Sequence, residues 1–180
     1  MSSHSLTPPF YLPIDNMEDY MKKRTFALIL SLAGFMSLNA ATVSVLVVEA
    51  GLPPGYGCSS SAEVWESGMM DAFFDAGHIV SNAPCMQILN AAGVLPAEVN
   101  GDFDQARIGG VDFLVLVVIN YKEESVESTK EVVIRVFNVD TGDLLYETKI
   151  AARVWRSTDE EFFDAKQQAG KLVPQLSRKG

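Results

Sequence analysis

The sequence predicts a mixed α/β fold: about five strands in one sheet, a parallel β-α-β-α-β start, a C-terminal antiparallel hairpin, and helices packed on the sheet. Three observations predict it. The stretches TVSVLVVE at 42–49 and DFLVLVVINY at 112–121 are apolar without alternation, as strands covered on both faces are. Segments with helical spacing lie between them, so the connections are long enough for right-handed parallel crossovers. Alternating strands at 131–139 and 144–154 flank Asp140-Thr141-Gly142-Asp143, a turn whose glycine accepts a positive φ and joins neighbours antiparallel.

The elements follow in order. After the first strand comes GLPPGYGCSS, a loop dense in Gly and Pro. Ser60-Ser61-Ala62-Glu63 has the capping-box pattern, in which a hydroxyl and a carboxylate satisfy free N–H groups at a helix start. That helix runs to about Ala76, where Gly77 suits the left-handed residue that ends it. Val64, Trp65, Gly68, Met69, Ala72 and Phe73 form its buried stripe, leaving Glu63, Glu66, Asp71 and Asp75 outward. A short strand at 78–82 is stopped by Ala83-Pro84. Residues 85–92 read as a brief helix, broken at 93–96, and 98–108 as a further helix ending at Gly109-Gly110. After the hairpin, Ser157-Thr158-Asp159-Glu160 is a second capping box. It opens a helix with Phe162, Ala165, Ala169, Leu172 and Val173 on one face.

The beginning of the chain divides it. Met21-Lys22-Lys23-Arg24, an apolar stretch to Leu38 and then Asn39-Ala40-Ala41 have the order of a secretory signal: basic, apolar, small. Residues 21–40 therefore read as a signal peptide cut after Ala40, and 41–180 as a single periplasmic α/β domain. The polar, proline-bearing residues 1–20 read as an upstream tail or a misassigned start. The rival reading is an uncut membrane span, because residues 26–48 carry no charge. The bases at 22–24 would then hold the N-terminus inside and leave an inner-membrane-anchored domain outside, so export follows from both. No cysteine stands at the cleavage region, and a lipoprotein's modification site is absent from it.

The formal net charge of −9 falls wholly on residues 41–180, because residues 1–40 carry three acids and three bases. That balance excludes nucleic acid and anionic lipid surfaces as partners, since both need a basic face. The membrane enters only through the signal segment, if it stays uncut.

No residue pattern points to catalysis or to a cofactor. The loop Gly51-Leu52-Pro53-Pro54-Gly55-Tyr56-Gly57 lies between a strand and a helix start, where backbone N–H groups can cradle an anion. A phosphate loop would place Lys and then Ser or Thr after its last glycine, whereas Cys58-Ser59 follow Gly57. Ser59, Ser60 and Ser61 would need a base. The domain's single histidine, His78, opens a strand, so capping explains the serines and a structural imidazole explains His78. One His and two Cys do not complete a zinc site. Asp140, Asp143 and Glu147 match no calcium loop.

Cys58 and Cys85 are the better pair. Each follows one of two neighbouring parallel strands, so both emerge at one edge of the sheet. A bond would need Cα atoms within roughly 4.4–6.8 Å. It would close a loop of about 27 residues and contribute ~3 kcal/mol, pinning the Gly/Pro loop.

The element order carries a resemblance. Its parts are the VSVLVV strand, a helix ending in Gly before HIV, Gly110-Val111-Asp112-Phe113 leading into the central strand, and the Asp140-Thr141-Gly142 hairpin. This resembles the periplasmic α/β domains of the curli secretion channel, of the N-terminal part of the Tol–Pal B protein and of penicillin-binding-protein activator lipoproteins. The likeness spans about 42–177. It implies a non-catalytic domain that docks to envelope proteins or assembles with itself, with the loops at 51–57 and 122–129 as contact surfaces. The function expected is therefore an exported scaffold or accessory module of the cell envelope. The alternatives are a periplasmic small-ligand binder using 51–57 and, disfavoured by the residue inventory, a hydrolase.

Overall fold

β1 (Thr42–Ala50) is flanked by strands on both sides and covered on both faces, which is why it carries so little polarity. The computed structural model describes residues 40–52, 57–89, 97–122 and 130–176. Along the chain β1 is followed by α1 (Ser60–Asp75), β2 (Ile79–Asn82), β3 (Met86–Ile88), a 3-10 turn (Ala97–Val99), α2 (Asn100–Ile108) and β4 (Phe113–Tyr121). The hairpin β5 (Lys130–Asn138) and β6 (Leu144–Arg153) and the helix α3 (Thr158–Leu176) complete it. Among the described residues the six strands form one mixed sheet ordered β2-β1-β4-β5-β6, with β3 also on β1. The expected signal segment at 21–40 lies outside the described residues, apart from Ala40.

Parallel pairing occupies the first half. β1 runs parallel to β4 from Val43↔Phe113 to Ala50↔Asn120, and to β2 from Thr42↔Ile79 to Val45↔Asn82. The second half is antiparallel: β4 to β5 and β5 to β6.

Two cores result. On one face Val43, Val45, Val47, Phe113, Val115, Ile134 and their neighbours meet α1 and α3. On the other, Leu46, Val48, Leu114, Leu116 and Val118 meet Phe103 and Ala106 of α2. Each fully buried side chain of this size contributes on the order of 1.5–3 kcal/mol, which makes the central strands the most firmly held part. α1 and α3 approach closely because Gly68 has no side chain: a Cβ there would stand 2.8 Å from the Ala165 Cβ. Lys166 of α3 spans the same seam, with its Nζ 2.5 Å from Asp71 and 2.8 Å from Asp75 of α1. Two acids expected to face outward thus hold the helix pair together at its rim.

Three expectations are corrected. Residues 86–88 are a strand rather than part of a helix, pairing parallel with β1 from Val48↔Met86 to Ala50↔Ile88. β1 has nine residues and β2 four, so the far half of β1 needs another neighbour. Pro84, which has no N–H to give a ladder, marks the break between the two. The helix cap is Ser59 rather than Ser60: Ser59 keeps an extended backbone and its Oγ accepts from the Ala62 N–H at 3.4 Å. In α3 the innermost residues are Glu161, Ala165, Ala169, Leu172 and Leu176, while Phe162 and Val173 are only half-buried. The cap at its start does form, with the Glu160 N–H donating to Ser157 Oγ at 3.2 Å.

Candidate functional site

The C-terminal ends of β1 and β4, the start of β5 and the first turns of α1 and α3 converge at one end of the sheet. In open α/β sheets this is where ligands are normally taken. Two buried carboxylates organise it here.

The first is Glu49, fully buried at the end of β1. Tyr121 at the end of β4 donates its hydroxyl to Glu49 Oε1 at 2.6 Å. The Ser59 hydroxyl donates to the same oxygen, and the Ser59 N–H donates to Oε2 at 3.0 Å. Gln87 of β3 adds its Nε2 at 3.3 Å to Oε2 and at 3.2 Å to the Gly57 carbonyl. The carboxylate therefore sits at the N-terminal end of α1, where the helix dipole favours negative charge. The ordinary cost of burying it is offset by four neutral donor groups from three segments. Burial and the Glu49 hydrogen bond push the Tyr121 phenol well above its ordinary value of 10, so it stays a donor at any physiological pH. Gly51 makes the crossing possible: its φ is +89°, and a Cβ there would stand 2.9 Å from the Tyr121 carbonyl oxygen.

The second is Glu161 in the first turn of α3, which is 6% exposed. It accepts from the Ser61 hydroxyl and from Trp65 Nε1 at 3.0 Å. Lys130 Nζ of β5 lies 3.8 Å from it and donates to Ser61 Oγ at 3.2 Å. The ammonium stands 5.8 Å from the ring centroids of both Tyr121 and Trp155, within the range of cation–π attraction. Trp155 itself meets Trp65 edge-on at 5.9 Å.

Cys58 and Cys85 form a disulfide beside Glu49, with Cα atoms 6.2 Å apart. The Glu49 carboxylate and both sulfurs lie within 4.8 Å of one another, but sulfurs bonded to each other do not offer the thiolates a metal takes. Of the candidate contact loop, Gly51 donates its N–H to the Ile88 carbonyl at 3.3 Å. Leu52 is buried, and Gly57 is exposed. Residues 53–56, and 123–129 of the second loop, lie outside the described residues.

The serines and His78 are not brought together. His78 sits beside Ala41, at the opposite end of β1, where its Nδ1 accepts the Ala41 N–H at 3.2 Å. The nine residues of β1 separate the two ends by roughly 25 Å. The hydroxyls of Ser59 and Ser61 are turned onto Glu49 and Glu161 instead. At the hairpin, Asn138 rather than an aspartate organises the turn, accepting from Thr141 N–H at 3.0 Å on its side chain and from Gly142 N–H at 2.9 Å on its carbonyl. Glu147 is paired with Arg135 at 2.6 Å across the strands. A separate groove of about 460 Å³ lies on the α2 face, lined among others by Thr42, Ser44, Asn82 and Asp102.

Glu49, Tyr121, Gln87, Lys130 and Glu161 carry this end, and sequence reasoning did not single them out. One signal was present: a glutamate closing an otherwise apolar strand predicted to be covered on both faces.

No family model and no curated protein matches the chain. Solved structures do. PelC from Paraburkholderia phytofirmans, solved as a dodecamer, is 16% identical, with 78% of this chain and 90% of that chain covered and a TM-score of 0.43. The LpoB C-terminal domain from Escherichia coli is 12% identical, with 72% and 94% covered and a TM-score of 0.39. TolB from Acinetobacter baumannii is 12% identical, with 79% and 29% covered and a TM-score of 0.38. The Tol–Pal B protein, named above from the sequence, recurs among these matches.

Proposed function

We propose that the chain is an exported, non-catalytic accessory module of the bacterial envelope that binds other envelope proteins or copies of itself. The observation that carries this reading is the closure of the sheet's ligand-taking end by the chain's own groups. Glu49, Ser59, Tyr121, Gln87, Ser61 and Glu161 spend their hydrogen-bonding capacity on one another, which makes a rigid platform rather than a reactive centre. The imidazole that a serine–histidine pair would need belongs to His78, which accepts the Ala41 N–H at the far end of β1. The basic-then-apolar order at 22–38 and the Cys58–Cys85 bond both favour an oxidising compartment. In this reading residues 21–40 direct export and 41–180 form the exported domain.

The rim of the platform is where partners would meet it, through the loops at 51–57 and 122–129. Crosslinking in intact cells, followed by purification of the chain, tests the proposal. The expected product is a discrete adduct with an envelope protein or with a second copy. A chain that stays uncrosslinked in the cytosol, with both thiols reduced, would sink it. Small-ligand binding at 51–57 is the second reading, because that loop joins the end of a parallel strand to a helix start. A rise in melting temperature with anions, sugars or peptides would favour it, and a flat screen would remove it.

A further inference from the structure

The sheet ends on β6, ten residues long and hydrogen-bonded only to β5 among the described residues. Its register against β5 shifts between Val136 and Phe137 and again between Lys130 and Val132. Between these irregularities, Tyr146 to Ile150 run as a regular strand. Tyr146, Thr148 and Ile150 are half-buried on the α1/α3 face, and Glu147 and Lys149 are exposed on the other.

That five-residue run is complementary to itself. We infer that two copies of the chain pair antiparallel through β6, with Thr148 opposite Thr148 on a two-fold axis, extending the sheet across the seam. This rests on the self-association branch of the function proposed above and names its surface. In this register Tyr146 faces Ile150 of the second copy, so two apolar groups left half-exposed at the end of the α1/α3 core cover each other. On the opposite face Glu147 meets Lys149 of the second copy. Within each chain Glu147 already pairs with Arg135 and Lys149 with Glu131, the latter at 3.0 Å. The seam therefore completes a row of alternating sign running across both sheets.

The same charges reject the neighbouring arrangements. A shift of two residues one way sets Glu147 against Glu147, and the other way Lys149 against Lys149. Odd shifts set Glu147 against the half-buried Ile150 or Thr148. Like charges placed directly opposite destabilise a strand pair, so the edge selects one register. Lysine on an edge strand ordinarily deters pairing; here it deters every register but one.

The test uses the chain purified from exporting cells, with its disulfide intact. Sedimentation equilibrium of the unaltered chain should show a monomer–dimer equilibrium. T148C should form a covalent dimer on mild oxidation, because opposed residues bring Cβ atoms to about 4.5–5.5 Å. E147K and K149E should each weaken dimerisation by on the order of tenfold or more, and the double exchange E147K/K149E should restore it. Circular dichroism melts of each variant show whether the monomer still folds. A chain that remains monomeric at high concentration overturns the inference, while a crosslinked envelope partner would leave the proposed function standing. A dimer that ignores the charge exchanges, or in which T148C does not crosslink, overturns the β6 seam and keeps self-association. Failure of all crosslinking in cells counts against the proposed function itself.

Discussion

The two flanks of the sheet are held in different ways. On the β2/β3 flank the strands are short and parallel, so no local turn can close them and each pair depends on groups distant in sequence. β3 is tied to β1 by Gln87 reaching Glu49, by the Cys58–Cys85 bond and by Gly51 donating to Ile88. β2 begins where His78 takes the Ala41 N–H. On the β5/β6 flank a five-residue connection, 139–143, brings the strands together, and cross-strand pairs such as Arg135–Glu147 lie directly opposite. Parallel pairing needs tertiary clamps, whereas the hairpin supplies its own closure. Stability should therefore be concentrated in a few residues on one flank and spread thinly on the other.

Four changes break or sharpen that contrast. The largest effect is expected from Glu49→Ala, which removes the acceptor that the Tyr121 hydroxyl and both the hydroxyl and N–H of Ser59 share. Unsatisfied buried groups cost about 1–3 kcal/mol each, and the loss of the carboxylate's own desolvation offsets part of this. Urea unfolding should show a destabilisation of about 4 kcal/mol, with Glu49→Gln roughly half as damaging. Next comes the double change of Cys58 and Cys85 to Ala. Its 27-residue separation corresponds to about 3 kcal/mol on the chain-entropy account, read as a lower urea midpoint than that of the oxidised parent. An unchanged midpoint would mean that the Glu49 cluster alone fixes this flank.

The third is a pH effect. Burial holds the His78 imidazole below its ordinary value of 6.5, and its Nδ1 is already an acceptor for Ala41. Between the ordinary and the lowered value the unfolded chain binds more protons than the folded one. Stability is thus full above about 6.5 and falls as pH drops through the folded value. His78→Gln, which keeps an acceptor but does not titrate, should flatten that part of a melting-temperature profile; an identical slope would remove His78 as its source. The smallest effect is expected from Glu147→Ala, which removes a half-exposed partner from Arg135. Such pairs are worth about 0.2–1 kcal/mol, and a larger loss in monomer melts would show that the hairpin flank has a clamp of its own.

Legibility in the sequence followed the same division. The hairpin was readable because its turn and alternation are local, and β1 and β4 were readable because covering both faces forces a continuous apolar run. Gly77 and Gly142 both have positive φ, near +85° and +77°, at the helix end and the turn. β3 was missed because three residues following a proline carry no periodicity of their own; only the unpaired half of β1 makes them a strand. The cap moved from Ser60 to Ser59 for a similar reason. With three serines in a row, the choice belongs to Glu49, which draws Ser59 out of the helix. Lys130, beside a charged loop, carries no local sign of its surroundings, yet Glu161, Tyr121 and Trp155 lie around it.

By itself, the sequence determined the mixed α/β architecture, the antiparallel hairpin, the acidic character of residues 41–180 and the placing of two cysteines after neighbouring strands. Those properties follow from hydrophobic period, turn chemistry and charge, all of which act over a few residues. Only the tertiary structure decided that Glu49 and Glu161 would be buried and which donors would surround them. A carboxylate's environment is assembled from segments up to about a hundred residues apart, such as Ser61 and Glu161, and no local pattern encodes that meeting.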